Sequence, residues 1–203
     1  MRYSTMGAAV AVLITAMPVM AADPPAAPQL QFLRGTVTGV TPGALRIKTT
    51  AGKTETVKLA PDWNVQVTKP VTVEEIKSGS FIGTAEMPQA DGTGRSLEVH
   101  VFPPGVKVGE GHYGWGLKKG SMMTNGTVGK VVASPQGRSF TVSYPTGNRR
   151  IVVPPKTPIV QIGPGPRTLV KVGARVFIPA AMTPGGLATN SVAVGANGSA
   201  PPM

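Results

Sequence analysis

The sequence contains no cysteine. Disulfides, thiol catalysis and cysteine metal sites are therefore excluded, and the fold must rest on its own core. Aromatic residues make up only 5% of the chain, too few to supply the exposed stacking platform that single-stranded nucleic acid uses. Histidine occurs twice, and there is no carboxylate side chain after Glu110. The strained-turn serine pattern G-x-S-x-G, the zinc-protease pattern H-E-x-x-H and the phosphate-binding loop are all missing. No complete catalytic constellation is left, so the chain reads as non-enzymatic. Beyond the first two dozen residues, no apolar run approaches the roughly 18–20 residues of a spanning helix.

The opening MRYSTMGAAVAVLITAMPVMAADPP has the pattern of a secretory signal peptide. Arg2 supplies the positive start, Gly7 to Val19 is apolar, and Val19-Met20-Ala21 offers a cleavage site. Residues 1–22 are read as this signal, and the mature protein is expected in the periplasm or outside the cell. Charge is unevenly spread. From 23 to 110, nine Lys/Arg meet nine Asp/Glu, whereas from 111 to 203 there are ten Lys/Arg and no acid. Two readings stand: a partner with anionic groups, such as an envelope component, or a solvated basic surface without one.

Glycine (26) and proline (21) punctuate short Val/Ile/Thr-rich runs, as in an all-β protein. The chain reads as one unit used twice. RGTVTGVTPGALRIKTT from Arg34 parallels NGTVGKVVASPQGRSFTVSY from Asn125, and IKSGSFIGTA at 76–85 parallels VKVGARVFIPA at 170–180. Leu45 and Ile47 alternate with Arg46 and Lys48, as Phe140, Val142 and Tyr144 alternate with polar residues in the second copy. That is the period of half-buried strands. Gly52 and Gly147 mark hairpin turns where a positive φ is expected. Thr72–Ile76 and Pro166–Val170 read as short helical plugs.

Three strands, a plug and two more strands resemble an OB-type barrel. The expected fold is all-β: two tandem small OB-like β-barrels from an internal duplication, each with a short helical plug. The boundaries are a flexible leader at 23–33, a first barrel at 34–103, a connector at 104–124, a second barrel at 125–195 and an extended tail at 196–203.

The segments GSFIGTAEMPQADGTGRSLEVHVFP (79–103), GEGHYGW (109–115), MTNGTV (123–128), VVPPKTPIV (152–160) and the closing PPM resemble a family of exported bacterial proteins of unknown function with OB-like β-barrel domains. Its members often carry the label metal ABC transporter permease. That label conflicts with the absence of spanning segments after the signal. The chain departs from the family at Pro104-Gly105-Val106 and at Gly116, where members often have acids.

Both histidines lie in EVHVFPPGVKVGEGHYGW (98–115). Alternation turns Leu97, Val99 and Val101 inward, and Glu98 and His100 to the opposite face. Glu110 and His112 repeat the spacing. If the loop folds back over the strand, Glu98, His100, Glu110 and His112 would hold a divalent ion such as Zn²⁺ or Ni²⁺. The alternative readings are a structural strap, with Tyr113 and Trp115 capping a junction between barrels, and a ligand-binding cleft. Apart from that possible ion, no cofactor is implied. Lys118, Lys119, Arg138, Arg149, Arg150, Lys171 and Arg175 form the candidate polyanion-binding set. An anionic envelope component suits that set better than nucleic acid, because the stacking platform is missing.

Overall fold

The computed structural model describes residues 30–134 and 137–202, so the signal-peptide reading and the leader up to residue 29 lie outside the described residues. The protein is all-β, with twelve strands among the described residues: β1 Leu30–Thr41, β2 Ala44–Thr49, β3 Thr54–Pro70, β4 Phe81–Pro88, β5 Gly94–Val101, β6 Gly111–Gly114, β7 Met122–Ser134, β8 Gly137–Tyr144, β9 Gly147–Val153, β10 Ile159–Gly165, β11 Arg175–Thr183 and β12 Gly186–Gly195. Both expected plugs are single 3₁₀ turns, Val73–Glu75 and Arg167–Leu169, too short to be α-helices. Among the described residues, no helix is long and apolar enough to cross a membrane.

The strands form two rings, and neither ring is a consecutive half of the chain. In the first, β1, β2 and β3 are followed by β12 and β11, and β11 returns antiparallel to β1. The ring closes where β12 runs parallel to β3, with Val192 beside Val65. In the second, β7, β8 and β9 meet β5 and β4, and β4 returns antiparallel to β7. Here closure is a short parallel bridge, Gly94 to Ile151 and Arg95 to Val152. The expected boundaries at 34–103 and 125–195 are therefore corrected. Residues 81–101 belong with β7–β9, and residues 175–195 belong with β1–β3.

The plugs are exchanged with their strands. Ile76 is buried in the second ring's core with Ile82, Val99, Phe140 and Ile151. Val170 is buried in the first, with Leu45, Ile47, Trp63 and Ile178. After each plug the chain turns on a glycine of positive φ: Gly79 at 87° and Gly173 at 88°. The Gly79 amide donates to Val128 of β7, and the Gly173 amide to Val37 of β1.

Proline directs the crossing. β3 runs unbroken for 17 residues: its near half pairs with β2, and its far half is shared between β12 of the first ring and β10. The corresponding path after β9 is broken by Pro154, Pro155 and Pro158, which cannot donate to a ladder. A separate strand, β10, follows. It pairs antiparallel with β3, Val160 beside Pro70, and parallel with β5, Val160 beside His100. β10 is thus the seam between the rings.

Two smaller corrections concern the ends and one turn. The leader does not extend to 33: β1 begins at Leu30, and Leu33 pairs with Ile178. Gly147 does not have a positive φ. The hairpin turns on Pro145-Thr146, with Tyr144 paired to Gly147.

The exchange predicts a specific cross-link. Asn64 and Ser191 are register partners on β3 and β12, and adjacent strands stand about 4.8 Å apart, within disulfide reach. Asn64→Cys/Ser191→Cys should form one intramolecular disulfide, seen as a faster monomer band on non-reducing gels. Consecutive barrels would keep the two thiols apart and give no shift.

Candidate functional site

β5 is buried on both faces along Glu98–Val101. Val99 and Val101 enter the second ring's core, and Glu98 and His100 face the seam. Alternation places these side chains correctly, but the seam strand removes the second face from solvent as well. His100 Nε2 donates to the Pro202 carbonyl at 3.0 Å. It stands 3.5 Å from Glu98 Oε1. Burial holds the imidazole at a pKa of about 4, the Pro202 bond opposing it only in part. The ring is therefore neutral at ordinary pH, and the Glu98 contact is not an ion pair. Burial raises Glu98 to about 7, with Arg34 pulling the other way. Glu98 Oε1 is buried without a hydrogen bond.

The tail expected to be extended and loosely held instead makes one 3₁₀ turn at Ala196–Gly198 and then buries Pro201. The Pro202 carbonyl reaches His100 from the last described residue of the chain.

The other expected pair does not form. Glu110 is exposed in the loop before β6. β6 pairs with β7, His112 opposite Thr124, and both β7 and β4 stand between β6 and β5. The loop returns beside β7 and not over β5. Of the four proposed metal ligands, Glu98 and His100 therefore stay together on β5, while Glu110 and His112 lie elsewhere. Among the described residues, no group of three or more His, Cys, Asp or Glu could hold a metal ion.

His112 joins a cluster with no signal in the sequence. Its Nδ1 bonds Thr124 Oγ1 at 2.8 Å and lies 3.9 Å from Glu86 Oε1. Its ring stacks on Tyr144 with centroids 6.2 Å apart. Burial and the nearby Arg149 both lower its pKa, burial more. Glu86 is fully buried and accepts from Arg149 Nε at 2.8 Å. Burial raises its pKa and Arg149 opposes. Arg149 also donates to the Gly92 and Thr93 carbonyls at 2.9 and 3.2 Å. A Cβ at Gly94 would overlap the Glu86 carboxylate and force it to shift from its place beside Arg149.

The seam carries a third apolar group: Ile162, Phe177 and Ala193, with Phe32, Phe102 and Trp115 against them. Trp115 packs on Phe32 with centroids 4.4 Å apart, and Phe32 stacks on Phe177 at 5.8 Å. These rings border a cleft of about 570 Å³ whose walls also include Tyr113, His100, Gln66 and Asn125. Asn125 Nδ2 donates to the Gly109 carbonyl and to Tyr113 Oη, at 3.0 and 2.9 Å. That fixes Tyr113 at the rim, where it is 39% exposed. The walls come from both rings and from the connector. Phe32, Phe102 and Phe177 were not singled out from the sequence, because only the strand exchange brings them together.

The seven candidate polyanion residues do not share one face. Lys118, Lys119, Arg138, Arg149 and Arg150 go with the second ring, whereas Lys171 and Arg175 lead into β11 of the first. Arg149 is committed to Glu86, and Arg138 bonds Glu74 at 2.9 Å. Arg150 lies in the field of Asp91, whose carboxylate is held low mainly by its two bonds from Thr93.

No family model matches the chain, and neither a curated protein nor a solved structure matches it.

Two stability tests follow. Arg149→Ala leaves a buried carboxylate without its cation and should cost about 3–5 kcal/mol in denaturant unfolding. Glu98 ionises at higher pH in the folded chain than in the unfolded one. Below about pH 4.5 it is protonated in both states, and between about 4.5 and 7 the unfolded state ionises first, so stability falls as pH rises. Glu98→Gln removes that loss. Relative to wild type, the variant should gain on the order of 3 kcal/mol between pH 4.5 and 8. His100 works in the opposite sense, losing stability as pH falls from about 6.5 toward 4 in both proteins. A wild-type-to-variant difference that is flat with pH would show that Glu98 is not held protonated.

Proposed function

We propose that the protein is an exported, non-enzymatic binding module that takes a small, largely apolar, ring-bearing ligand in the cleft between its two rings. The observation that carries this reading is the cleft itself. Three phenylalanines, a tyrosine and a tryptophan converge on about 570 Å³ of space, with only a few polar groups among them. Pockets for small molecules have this composition and favour junctions between domains. Aromatic walls present large area at low conformational cost, and a ring in the ligand can stack on them. The polar groups suit positioning more than catalysis. His100 is neutral and committed to Pro202, and Asn125 is committed to Gly109 and Tyr113.

In this reading each ring is an OB-like barrel. Both have the order first, second, third, fifth, fourth strand, with the fourth returning to the first and a plug before the fourth. The two rings descend from one duplicated unit whose last two strands and plug have been exchanged between copies. Matching roles for Gly79 and Gly173 support this. The export signal at 1–22 places the module in the periplasm or outside the cell.

A neutral fluorescent probe tests the cleft. N-phenyl-1-naphthylamine, titrated into the mature chain from residue 23, should show one saturable site with a Kd in the micromolar range, as expected for a ligand of this size. Trp115→Ala should weaken it about tenfold or more, and Trp115→Phe should keep it within a few-fold. Absence of saturable binding, or equal affinity in all three proteins, would remove the cleft as the site.

A further inference from the structure

We infer that the outer face of β11, β1, β2 and β3 is a docking surface for a linear anionic glycan. Pairing places basic residues in rows across this face. Thr36 of β1 has Arg175 on one side and Lys48 on the other, and Lys48 in turn faces Thr54. The next row sets Arg46 beside Thr56, and the next sets Ala44 beside Lys58. Arg46, Lys48, Lys58 and Arg175 are all exposed, while Leu45, Ile47, Val57 and Val176 between them fill the core. The acid nearest in register, Glu55, pairs with buried Ile47 and so belongs to the opposite side.

The pattern differs from that of the second ring. There, Arg138 and Arg149 are bonded to carboxylates. Among the described residues, no carboxylate forms an ion pair with the four cations of this face. The first ring's segments, 30–70 and 159–202, hold nine Lys/Arg against two acids, and residues 71–158 hold ten against six. Basic residues often protect sheet edges from pairing with other chains. That role does not apply here, because β1 and β2 are interior strands of a closed ring with a neighbour on each side. Like charges on neighbouring positions of a sheet repel, and an anionic partner would relieve that repulsion.

Spacing and chemistry narrow the partner. Arg175 and Lys48 stand two strands apart, roughly 10 Å, and Arg46 and Lys48 roughly 7 Å along one strand. A single phosphate cannot span both, so the partner carries repeated charge. Thr36, Thr54 and Thr56 place hydroxyl groups between the cations, suited to sugar hydroxyls and carboxylates. No aromatic side chain lies among these rows for a base to stack on, which disfavours single-stranded nucleic acid. The choice of a glycan rests in part on the export reading above. It does not depend on the cleft, whose test uses a neutral probe.

The mature chain should bind polygalacturonate with an affinity that falls steeply with salt. Arg46→Gln/Lys48→Gln should weaken binding tenfold or more and lower the slope of log affinity against log salt by about two. Lys58→Gln/Arg175→Gln, on other strands, should act in the same direction. Lys118→Gln/Lys119→Gln removes the same charge from the second ring and should stay within twofold of wild type. All four positions on the face are exposed, so thermal melts should match wild type. The proposal is overturned by equal weakening in the Lys118/Lys119 variant, which would mean net charge alone. It is also overturned by absence of salt-dependent binding, or by tighter binding to poly(dT) or to phosphatidylglycerol vesicles than to polygalacturonate.

Discussion

The seam ladder governs this structure. β10 hydrogen-bonds to β3 on one side and to β5 on the other, so one strand belongs to the margins of both rings. Neither ring can lose its neighbour without exposing a row of unpaired backbone groups, each of which would need a new partner. The junction it creates also buries the outward face of β5, with the Pro202 carbonyl on His100 and Arg34 near Glu98. An ordinary barrel strand keeps that face wet, and Glu98 and His100 would then titrate near their usual values. Here the seam desolvates both, driving the carboxyl up and the imidazole down. Two groups that look like a metal pair become a carboxyl that keeps its proton up to about pH 7 and a neutral ring.

The strand exchange also resolves the charge asymmetry of the sequence. The acids of the first half are concentrated on the segment from Glu74 to Glu110: Glu86, Asp91 and Glu98 travel with β4, β5 and their turn into the second ring, and Glu74 and Glu75 travel with the plug. There they meet Arg138, Arg149 and Arg150 from the half without acids. Much of the apparent basic excess of that half is internal neutralisation between distant segments. The larger share of what stays uncompensated lies on the first ring, whose segments hold nine Lys/Arg against two acids.

Much of the local structure was legible. Alternation in Ala44–Thr49 and Gly137–Tyr144 gave the right faces, and Gly52, though not Gly147, sits at positive φ as expected. Plug residues Ile76 and Val170 are buried near the expected places. The partner of each strand was not legible. The β4–β5 and β11–β12 segments carry similar hydrophobic patterns, and periodicity cannot tell which ring each one closes. The choice falls to the linkers. A prolonged β3 and a proline-broken path after β9 carry each chain segment across to the other ring. Tandem closure would have to reverse the chain within 71–80 in one copy and 154–174 in the other. The i,i+2 spacing of Glu110 and His112 misled for a related reason. Spacing reports which side chains share a face, and the return path of a glycine-rich loop is set by the strand it meets, here β7.

The seam explains why a cavity survives in so small a protein. Each ring fills its own interior with aliphatic side chains and one or two large rings, Trp63 in the first and Phe140 in the second. Five other aromatics, Phe32, Phe102, Tyr113, Trp115 and Phe177, gather at the seam from β1, the end of β5, the connector with β6, and β11. Two convex surfaces joined along a single strand touch at the strand and diverge away from it. Bulky rings line the gap without closing it, because planar side chains tilted at 42°, as Phe32 and Trp115 are, leave wedge-shaped space. The walls come from residues as far apart as Phe32 and Ala193, and Pro202 fixes His100 in the floor. A site of this kind exists only once both rings are formed and the end of the chain is in place. Its binding would therefore stabilise the complete exchange and not either ring alone.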